Sequence, residues 1–424
     1  MPSKADKKPD KKPIARTSAR PSSSAALDDR GESVTGMEPM VIPESSKHRA
    51  GLSDKVLQLT QRSASFRGRL PAGIVEPLTS LVREMNCYYS NLIEGHNTHP
   101  IDIQRALYGL LDDDPNKRGL QQEAVAHIEV QRLIDDGGLG HPPATVGAIH
   151  EIHRRFYEAL PDTLKWVDNP DSGRREPVIP GKVRHLHVQV GRHVPVSPGA
   201  VERHLAHWQR GYSRLGPFES VLNTAAAHHR LLWVHPFLDG NGRVARLISY
   251  AMLRATLDTC GLWSVARGLA RTTDAYKTHL ASCDSPRRGD LDGRGNLSEA
   301  ALCEFTSYFL DVCLDQIEFM EGLMQPAELR ARIMSWAHDE IRLKRLNAKG
   351  TLILDRILFD GSLERSALPG LLGLDDRQAR RVAQPLVRVG LIKSISSRAP
   401  YALAFPAELA PRLMPGLYPG SLPR

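Results

Sequence analysis

Helical periodicity dominates the pattern of hydrophobic and polar positions along this chain. Between residues 74 and 93, apolar side chains recur at intervals of three and four, and Gly95 then supplies a C-terminal stop signal. Residues 121–160 predict two further helices, residues 222–255 a buried helical pair, and residues 297–324 one long helix. The expected fold class is therefore mostly α.

One segment departs from the helical pattern. Pro and Gly residues between 173 and 199 mark loops, and residues 187–194 alternate around Gly191. The alternation predicts a short β-hairpin over about 184–196. Its exposed edge is a place where a peptide can add as a further strand.

Residues 330–405 are expected to form a second, smaller unit. Three short helices are predicted, the third capped by Asp375 or Asp376 and interrupted by Pro385. Alternation over 390–404 then predicts a two-stranded wing. This order of elements favours a C-terminal winged helix-turn-helix domain.

The third helix of this unit begins with a basic cluster. Arg377, Arg380 and Arg381 crowd its first turn, where a recognition helix meets base edges and phosphates. DNA is therefore the predicted partner of residues 330–405. A module that contacts only proteins is the alternative.

The formal charge of +8 is concentrated at the two ends of the chain. Residues 1–50 carry +3 and residues 326–424 carry +7, which leaves −2 over residues 51–325. A polyanionic partner is therefore expected at the ends. The first segment is rich in Lys, Ser and Pro and is expected to be a disordered basic tail, and residues 406–424 a C-terminal tail.

Cysteine usage and hydropathy indicate the cellular compartment in which the protein is expected. The five cysteines contain no CxxC pair, which favours reduced thiols over a disulfide framework or a zinc site. No run of eighteen apolar residues occurs, and the basic N-terminus lacks the apolar core of a secretory signal. The sequence therefore predicts a cytoplasmic protein with no membrane partner.

Most of the candidate ligand-binding residues lie in the short stretch between the two buried helices. Gly240, Asn241 and Gly242 separate them, with Asn241 as the N-cap candidate of the second helix. Two glycines let backbone amides approach an anion closely, and a helix N-terminus adds partial positive charge. Arg243 and Arg246 follow three residues apart, so both guanidinium groups are expected on one side of the first turn. The combination suits a polyphosphate.

Two titratable side chains precede this predicted anion site. Asp239 can hold Mg²⁺ through one carboxylate together with phosphate oxygens. His235 lies four residues earlier and is a base placed at the rim of the site. Their positions relative to the glycines suggest a catalytic loop.

The stretch His-Pro-Phe-Leu-Asp-Gly-Asn-Gly-Arg-Val-Ala-Arg, residues 235–246, resembles the signature of the Fic (Fic/Doc) family at every defined position. The resemblance implies a Fic-type helical bundle over residues 51–325, with 235–246 as its catalytic loop. It also implies ATP and Mg²⁺ as the bound groups. The activity it implies is transfer of AMP from ATP to a protein hydroxyl, with His235 as the catalytic base.

A carboxylate at the end of the predicted helix over about 74–95 is poorly placed. Glu94 faces the negative end of the helix dipole, so a cation is expected beside it. Ser90 to Gly95 also resembles the inhibitory motif that one class of the family carries N-terminal to its core. The resemblance implies that Ser90, Glu94 and Gly95 are regulatory, that Glu94 pairs with Arg246, and that the pair obstructs productive placement of the ATP γ-phosphate.

The predicted hairpin also has a counterpart in the family. Val190, Gly191, Arg192 and His193, near its turn, resemble the family's flap, which contacts nucleotide and aligns the target segment. An ordinary surface hairpin is the alternative.

The adenine pocket is less well defined. Tyr276 resembles a residue that shapes this pocket in the family, whereas Cys283 and Asp284 stand where some relatives place an Asn. A tyrosine that packs in the core is the alternative.

The predicted function is that of a protein adenylyltransferase acting on Ser, Thr or Tyr hydroxyls of a target protein and of itself. Glu94 is expected to restrain it, and removal of AMP from a modified target is a further activity that Glu94 suggests. The alternative is a nucleotide-sensing, DNA-binding transcriptional regulator. Intact His235 and Asp239 favour the enzyme. The sequence leaves open whether AMP or another phosphate-linked group is transferred, and whether the protein is a homodimer.

Overall fold

The computed structural model describes residues 27–169, 173–257 and 259–419. This part of the chain is mostly helical, as predicted. Its α-helices are α1 (Arg49–Arg69), α2 (Ala72–Ile93), α3 (Pro100–Leu107), α4 (Pro115–Asp135), α5 (Val146–Glu158), α6 (Val201–Tyr212), α7 (Pro217–Val234), α8 (Asn241–Thr256), α9 (Ala266–Arg271), α10 (Thr273–Cys283), α11 (Glu299–Leu323), α12 (Pro326–Arg342), α13 (Gly350–Asp360), α14 (Leu368–Leu372), α15 (Asp376–Arg388) and α16 (Ala410–Leu413). Its strands are β1 (Trp166–Asp168), β2 (Arg175–Pro177), β3 (Ser362–Leu363), β4 (Ile392–Lys393) and β5 (Tyr401–Leu403).

Helices α7 and α8 form the centre of the bundle. α7 begins with a proline, Pro217, which costs no hydrogen bond in the first turn of a helix. The consecutive alanines at 225–227 are buried and let neighbouring helices approach closely. α8 buries nearly every residue from Asn241 to Leu253. Because both helices are enclosed, the loop between them is held by packed elements on either side.

The predicted disordered tail over 1–50 is wrong for residues 27–50, which are ordered against the bundle, and residues 1–26 lie outside the described part. Met37, Met40 and Ile42 are buried beside α6 and α7. The amide of Ile42 donates to Oδ1 of Asn223 at 2.9 Å. The segment contains few large apolar residues, yet these three fill a gap on the bundle surface. Composition alone did not reveal that gap.

The hairpin predicted over 184–196 is only a tight turn. A single bridge joins Val190 to His193, and the regular two-stranded hairpin is instead β1 with β2, in which Trp166 lies opposite Pro177. The carbonyls at positions 186 and 196 accept hydrogen bonds from a buried arginine and not from a strand partner. The alternation in this segment therefore does not correspond to a ladder.

The C-terminal unit contains α12–α16 and a three-stranded antiparallel sheet in the order β3-β5-β4. Asp375 caps α15, since its carboxylate accepts from the amide of Gln378 at 2.8 Å. Pro385 does not interrupt α15 as predicted, because buried residues of the helix on either side of it, such as Ala383 and Leu386, anchor the helix to its neighbours. The helices and the β4–β5 pair occur where the sequence placed them, and the winged-helix assignment stays a prediction.

Within the predicted C-terminal tail over 406–424, residues 406–419 are described and include the short helix α16. Leu413, Met414 and Leu417 are buried, and the carbonyl of Leu417 accepts from the Tyr89 hydroxyl at 2.8 Å. α16, which contains Leu413, packs on α12, and the ring of Tyr418 makes an edge contact with Tyr88 of α2. The segment around Leu417 therefore contacts α2, the helix that ends next to Glu94. None of the helices described combines the length and apolar composition needed to cross a bilayer.

Candidate active site

The loop between α7 and α8 has an unusual backbone. His235, directly after α7, adopts the left-handed conformation with φ 49° and ψ 64°, and Gly240, directly before α8, has φ 80°. Asn241 is not the N-cap that the sequence predicted. Its side chain instead accepts from the amide of Phe237 at 3.0 Å and donates to the carbonyl of Phe237 at 2.9 Å. These two bonds fix the conformation of the loop because they join position 237 to position 241.

The N-terminus of α8 is the predicted anion site. Its first amides have no acceptor within the helix, and the helix dipole adds positive potential there. The Glu94 carboxylate lies over this turn. A Cβ added to Gly242 would come within 2.3 Å of Oε1 of Glu94 and within 3.1 Å of Nη1 of Arg246. Because glycine at position 242 has no side chain, the Glu94 carboxylate can occupy the space beside it.

Glu94 and Arg246 form an ion pair, with Oε1 and Nη2 2.5 Å apart. Arg246 also donates from Nε to the hydroxyl of Ser90 at 2.9 Å and from Nη2 to the carbonyl of Ser90 at 3.1 Å. Burial raises the pKa of Glu94, but the charge and hydrogen bond of Arg246 outweigh burial and hold that pKa below its ordinary value. The structure thus brings together residues 90, 94 and 246, as the resemblance implied.

Arg243 has different partners from those that the sequence suggested. Its guanidinium is paired with the buried carboxylate of Glu123 on α4 and stacks over the ring of Phe156 at 4.8 Å. Nη2 of Arg243 also lies 3.4 Å from Oδ2 of Asp239. Glu123 in turn contacts Nδ1 of His96 at 2.6 Å. Arg243 therefore connects the loop to α4, and in this arrangement its guanidinium is already engaged by carboxylates.

Asp239 is held by a tyrosine. The Tyr157 hydroxyl donates to Oδ2 of Asp239 at 2.5 Å, and 48% of the carboxylate side chain stays exposed. The Tyr157 ring stacks on His153, whose ring stacks on Phe237 of the loop. The described residues contain no cluster of three or more acidic, His or Cys side chains that could cage a metal. One exposed carboxylate nevertheless fits Mg²⁺, which takes its other oxygens from phosphates and water.

His235 is half-buried at the start of the loop. Burial, together with the nearby charge of Arg184, lowers the pKa of its imidazole to about 4. The ring is therefore neutral at neutral pH and able to accept a proton.

The flap candidates lie beside the end of α7. His193 bonds through Nε2 to the carbonyl of Trp233 at 2.7 Å, Gly191 has φ 60°, and Val190 and Arg192 are exposed. These contacts place the turn next to His235 in the fold. The side chains at 190 and 192 face solvent.

Tyr276 follows the alternative that places it in the core. It is 2% exposed, and its hydroxyl lies 2.7 Å from Nε2 of buried His228. Asp284 contacts Nε2 of His229 at 3.0 Å. Both side chains are therefore engaged by buried histidines of α7.

Sequence reasoning missed two residues around the loop, Glu123 and Tyr157, and predicted a third, Arg184, only as the first residue of the hairpin. Each lies at least fifty residues from the loop residue that it contacts. No local pattern marks such residues, because their role arises only from tertiary packing.

The region that contains this loop is similar to a known protein family. Residues 143–253, which include the whole of 235–246, match the model of the Fic/DOC family. This part of the chain therefore carries a Fic/DOC family domain, as the resemblance indicated.

Curated relatives share this region. "Protein adenylyltransferase Fic" of Nematostella vectensis is 29% identical over 191 residues, which is 43% of this chain and 41% of the relative. The Drosophila grimshawi protein of that name is 36% identical over 169 residues, 39% of this chain and 32% of the relative. "Protein adenylyltransferase fic-1" of Caenorhabditis elegans is 36% identical over 111 residues, 26% of this chain and 19% of the relative. This chain spans less than half the length of these relatives.

Solved structures give a weaker likeness. A Fic family protein from Desulfovibrio desulfuricans G20 is 16% identical with a TM-score of 0.47, over 82% of this chain and 96% of that one. Fic-1 from C. elegans (aa134–508) is 18% identical with a TM-score of 0.47, over 66% of this chain and 74% of that one.

Proposed function

We propose that this protein is an adenylyltransferase that moves AMP from ATP to a hydroxyl group of a protein side chain. The observation that carries the proposal is the position of His235, a neutral base, at one end of a loop whose other end is the N-terminus of α8. A helix N-terminus of this kind suits a phosphate group. The adenylyltransferase names of the relatives that share this loop support it.

Different residues of the chain have different roles in the reaction. His235 accepts the proton of the target hydroxyl as its oxygen attacks the α-phosphorus of ATP. The new P–O bond forms as the bond to the leaving pyrophosphate breaks. Amides of the first turn of α8, with the positive end of its dipole, stabilise the charge that develops on the phosphates. Catalysis of this kind depends mainly on positioning and electrostatics.

Asp239 is the residue that would hold Mg²⁺. The ion would neutralise charge on the phosphate oxygens when bound. The hydrogen bond from Tyr157 orients the Asp239 carboxylate, and the half-exposed oxygens leave access for an ion.

Glu94 is proposed to be inhibitory because it occupies the site that the phosphates need. Its carboxylate lies over Gly242 and engages Arg246, so a γ-phosphate competes with it for the same guanidinium. ATP then binds with its α-phosphorus out of line for attack. Loss of that single carboxylate is expected to free both the space and the cation.

The identity of the transferred group is tested with two labels. Incubation of the Glu94→Gly variant with ATP labelled at the α-phosphate is expected to label protein, whereas ATP labelled at the γ-phosphate is expected to label none. The reason is that AMP retains only the α-phosphorus. Protein label from the γ-phosphate would instead identify a kinase, and no label from either position would contradict group transfer from ATP altogether.

A second function is proposed for the C-terminal unit because one face of α15 is strongly basic. Arg377, Arg380, Arg381 and Arg388 are exposed on this helix, while its opposite face is buried. The charge of +7 over residues 326–424 adds to this surface. Such a face suits the phosphates and base edges of duplex DNA.

Full-length protein is expected to bind duplex DNA with an affinity that falls about a hundredfold between 50 and 200 mM salt if about four phosphates are neutralised. Replacing Arg377, Arg380 and Arg381 by Glu should abolish the binding in a fluorescence anisotropy titration. The matched control replaces exposed Lys117, Arg210 and Arg294 by Glu and should bind like wild type. Absent or salt-independent binding by wild type would assign the unit to protein contacts.

A further inference from the structure

Arg184 is among the largest side chains that are fully buried, with 1% of its surface exposed. All of its side-chain hydrogen bonds found in the described part of the chain go to backbone carbonyls. Nε donates to His235 at 2.8 Å, Nη1 to Leu186 at 2.9 Å, and Nη2 to Val196 and, at 3.4 Å, to Val234. A buried guanidinium satisfied by carbonyls is unusual, because buried charges are normally paired with a carboxylate.

These acceptors come from two separate parts of the chain. Val234 and His235 end α7 and begin the catalytic loop. Leu186 and Val196 bracket the turn around 190–193. The Arg184 amide adds a bond to the carbonyl of Pro236 at 2.8 Å. Arg184 thereby joins the segment that carries His235 to the turn over 190–193, which the resemblance predicts to be the flap.

The electrostatics favour a cation at this position. The carbonyls at the C-terminal end of α7 form the negative end of its dipole, and the helix supplies no N–H donors for the last of them. Burial lowers the pKa of Arg184 to about 10, so the guanidinium is still charged at neutral pH. The planar fork reaches four carbonyls from three nitrogen atoms, a geometry that the single nitrogen of an ammonium group cannot reproduce.

The conformation of His235 explains why such a clamp is needed. A residue with a Cβ occupies the left-handed region only at a cost in energy, and it stays there when surrounding bonds fix it. At φ 49°, His235 is fixed by its amide, which donates to the carbonyl of Leu231 at 3.1 Å, and by its carbonyl, which accepts from Arg184.

We infer that Arg184 is the positioning residue of the transfer reaction: it sets the orientation of His235 and the spacing between the base and the 190–193 turn. This inference rests on the adenylyltransferase function proposed above. Arg184 does not lie at the N-terminus of α8, so its loss should spare the phosphate contacts. Its effect should therefore fall mainly on kcat and on the protein substrate, with a much smaller effect on the affinity for ATP through the 190–193 turn.

The test uses full-length protein in the Glu94→Gly background. Arg184→Lys is expected to lower kcat for AMP transfer about 10- to 100-fold, since small misplacements of reacting groups have effects of that size. The KM for ATP and the Kd for MgATP from calorimetry should change less than about threefold. Arg184→Ala should regain activity in millimolar guanidinium chloride and not in equal sodium chloride. Arg203→Lys, a surface arginine of α6 paired with Asp29, is the matched control and should behave like its parent.

The outcomes separate this inference from the proposed function. An inactive Glu94→Gly parent would overturn the proposed function. An active parent with an equally active Arg184→Lys variant would overturn the positioning role. Loss of MgATP binding in parallel with kcat, with no recovery in guanidinium, would also overturn it, because it would identify a residue needed only for folding. Recovery of kcat by guanidinium at unchanged Kd would support it.

Discussion

Replacing Glu94 by glycine is expected to raise AMP incorporation about tenfold or more, measured as initial rates with α-labelled ATP. The carboxylate lies over the first turn of α8 and holds Arg246, which is the cation a γ-phosphate would otherwise engage. Its removal frees the site, and a tenfold gain needs the barrier to fall by only about 1.4 kcal/mol. The backbone at 94 has φ −80°, so glycine imposes no new conformation.

Three companion variants make this prediction specific. Glu76→Ala removes another carboxylate from α2, at an exposed position, and should leave the rate unchanged. Arg246→Ala should not activate, because the phosphate loses its partner along with the carboxylate. The double variant should resemble Arg246→Ala. Equal rates for wild type and Glu94→Gly would contradict the inhibitory role of Glu94. That result would not bear on the catalytic role of His235.

Replacing His235 by alanine is expected to reduce transfer by about 10²- to 10⁴-fold, which is the usual contribution of a general base. The effect should appear in kcat, because the imidazole acts on the attacking hydroxyl and not on the phosphates. Calorimetry with MgATP, done beside the activity assay in the Glu94→Gly background, should give an unchanged Kd.

An exposed histidine close to the loop provides the control for this variant. His185 lies near Glu176, and His185→Ala should keep parental activity. If His235→Ala loses nucleotide binding together with activity, His235 is a structural residue of the loop and the base must be sought elsewhere.

The sequence predicted most of the helical framework because the relevant signals are local. The periodicity over α2, the glycine break between α7 and α8, and the cap of α15 by Asp375 all occur in the structure. Residues 27–50, predicted to be disordered, were mispredicted. Their large apolar residues are few and lie among prolines, and they are buried only because they pack on the surface of the bundle, as Met37 does.

The candidate site was predictable where it follows a contiguous motif. The contact between Glu94 and Arg246 was expected from a helix-end carboxylate and a family resemblance, and the structure contains it. The partners Glu123 and Tyr157 were not, since each reaches the loop from another helix. Asn241 shows the same limit at short range: its side chain was expected to cap α8, but bonding to both backbone groups of Phe237 satisfies it better.

Intact-mass spectrometry after incubation with MgATP tests the central claim most directly. Wild type, Glu94→Gly and the double variant Glu94→Gly/His235→Ala would be compared. The proposal predicts a mass increase of one AMP unit on Glu94→Gly or on an added protein substrate, little on wild type, and none with the double variant. An AMP adduct of equal abundance on all three, or no adduct on any, would contradict it.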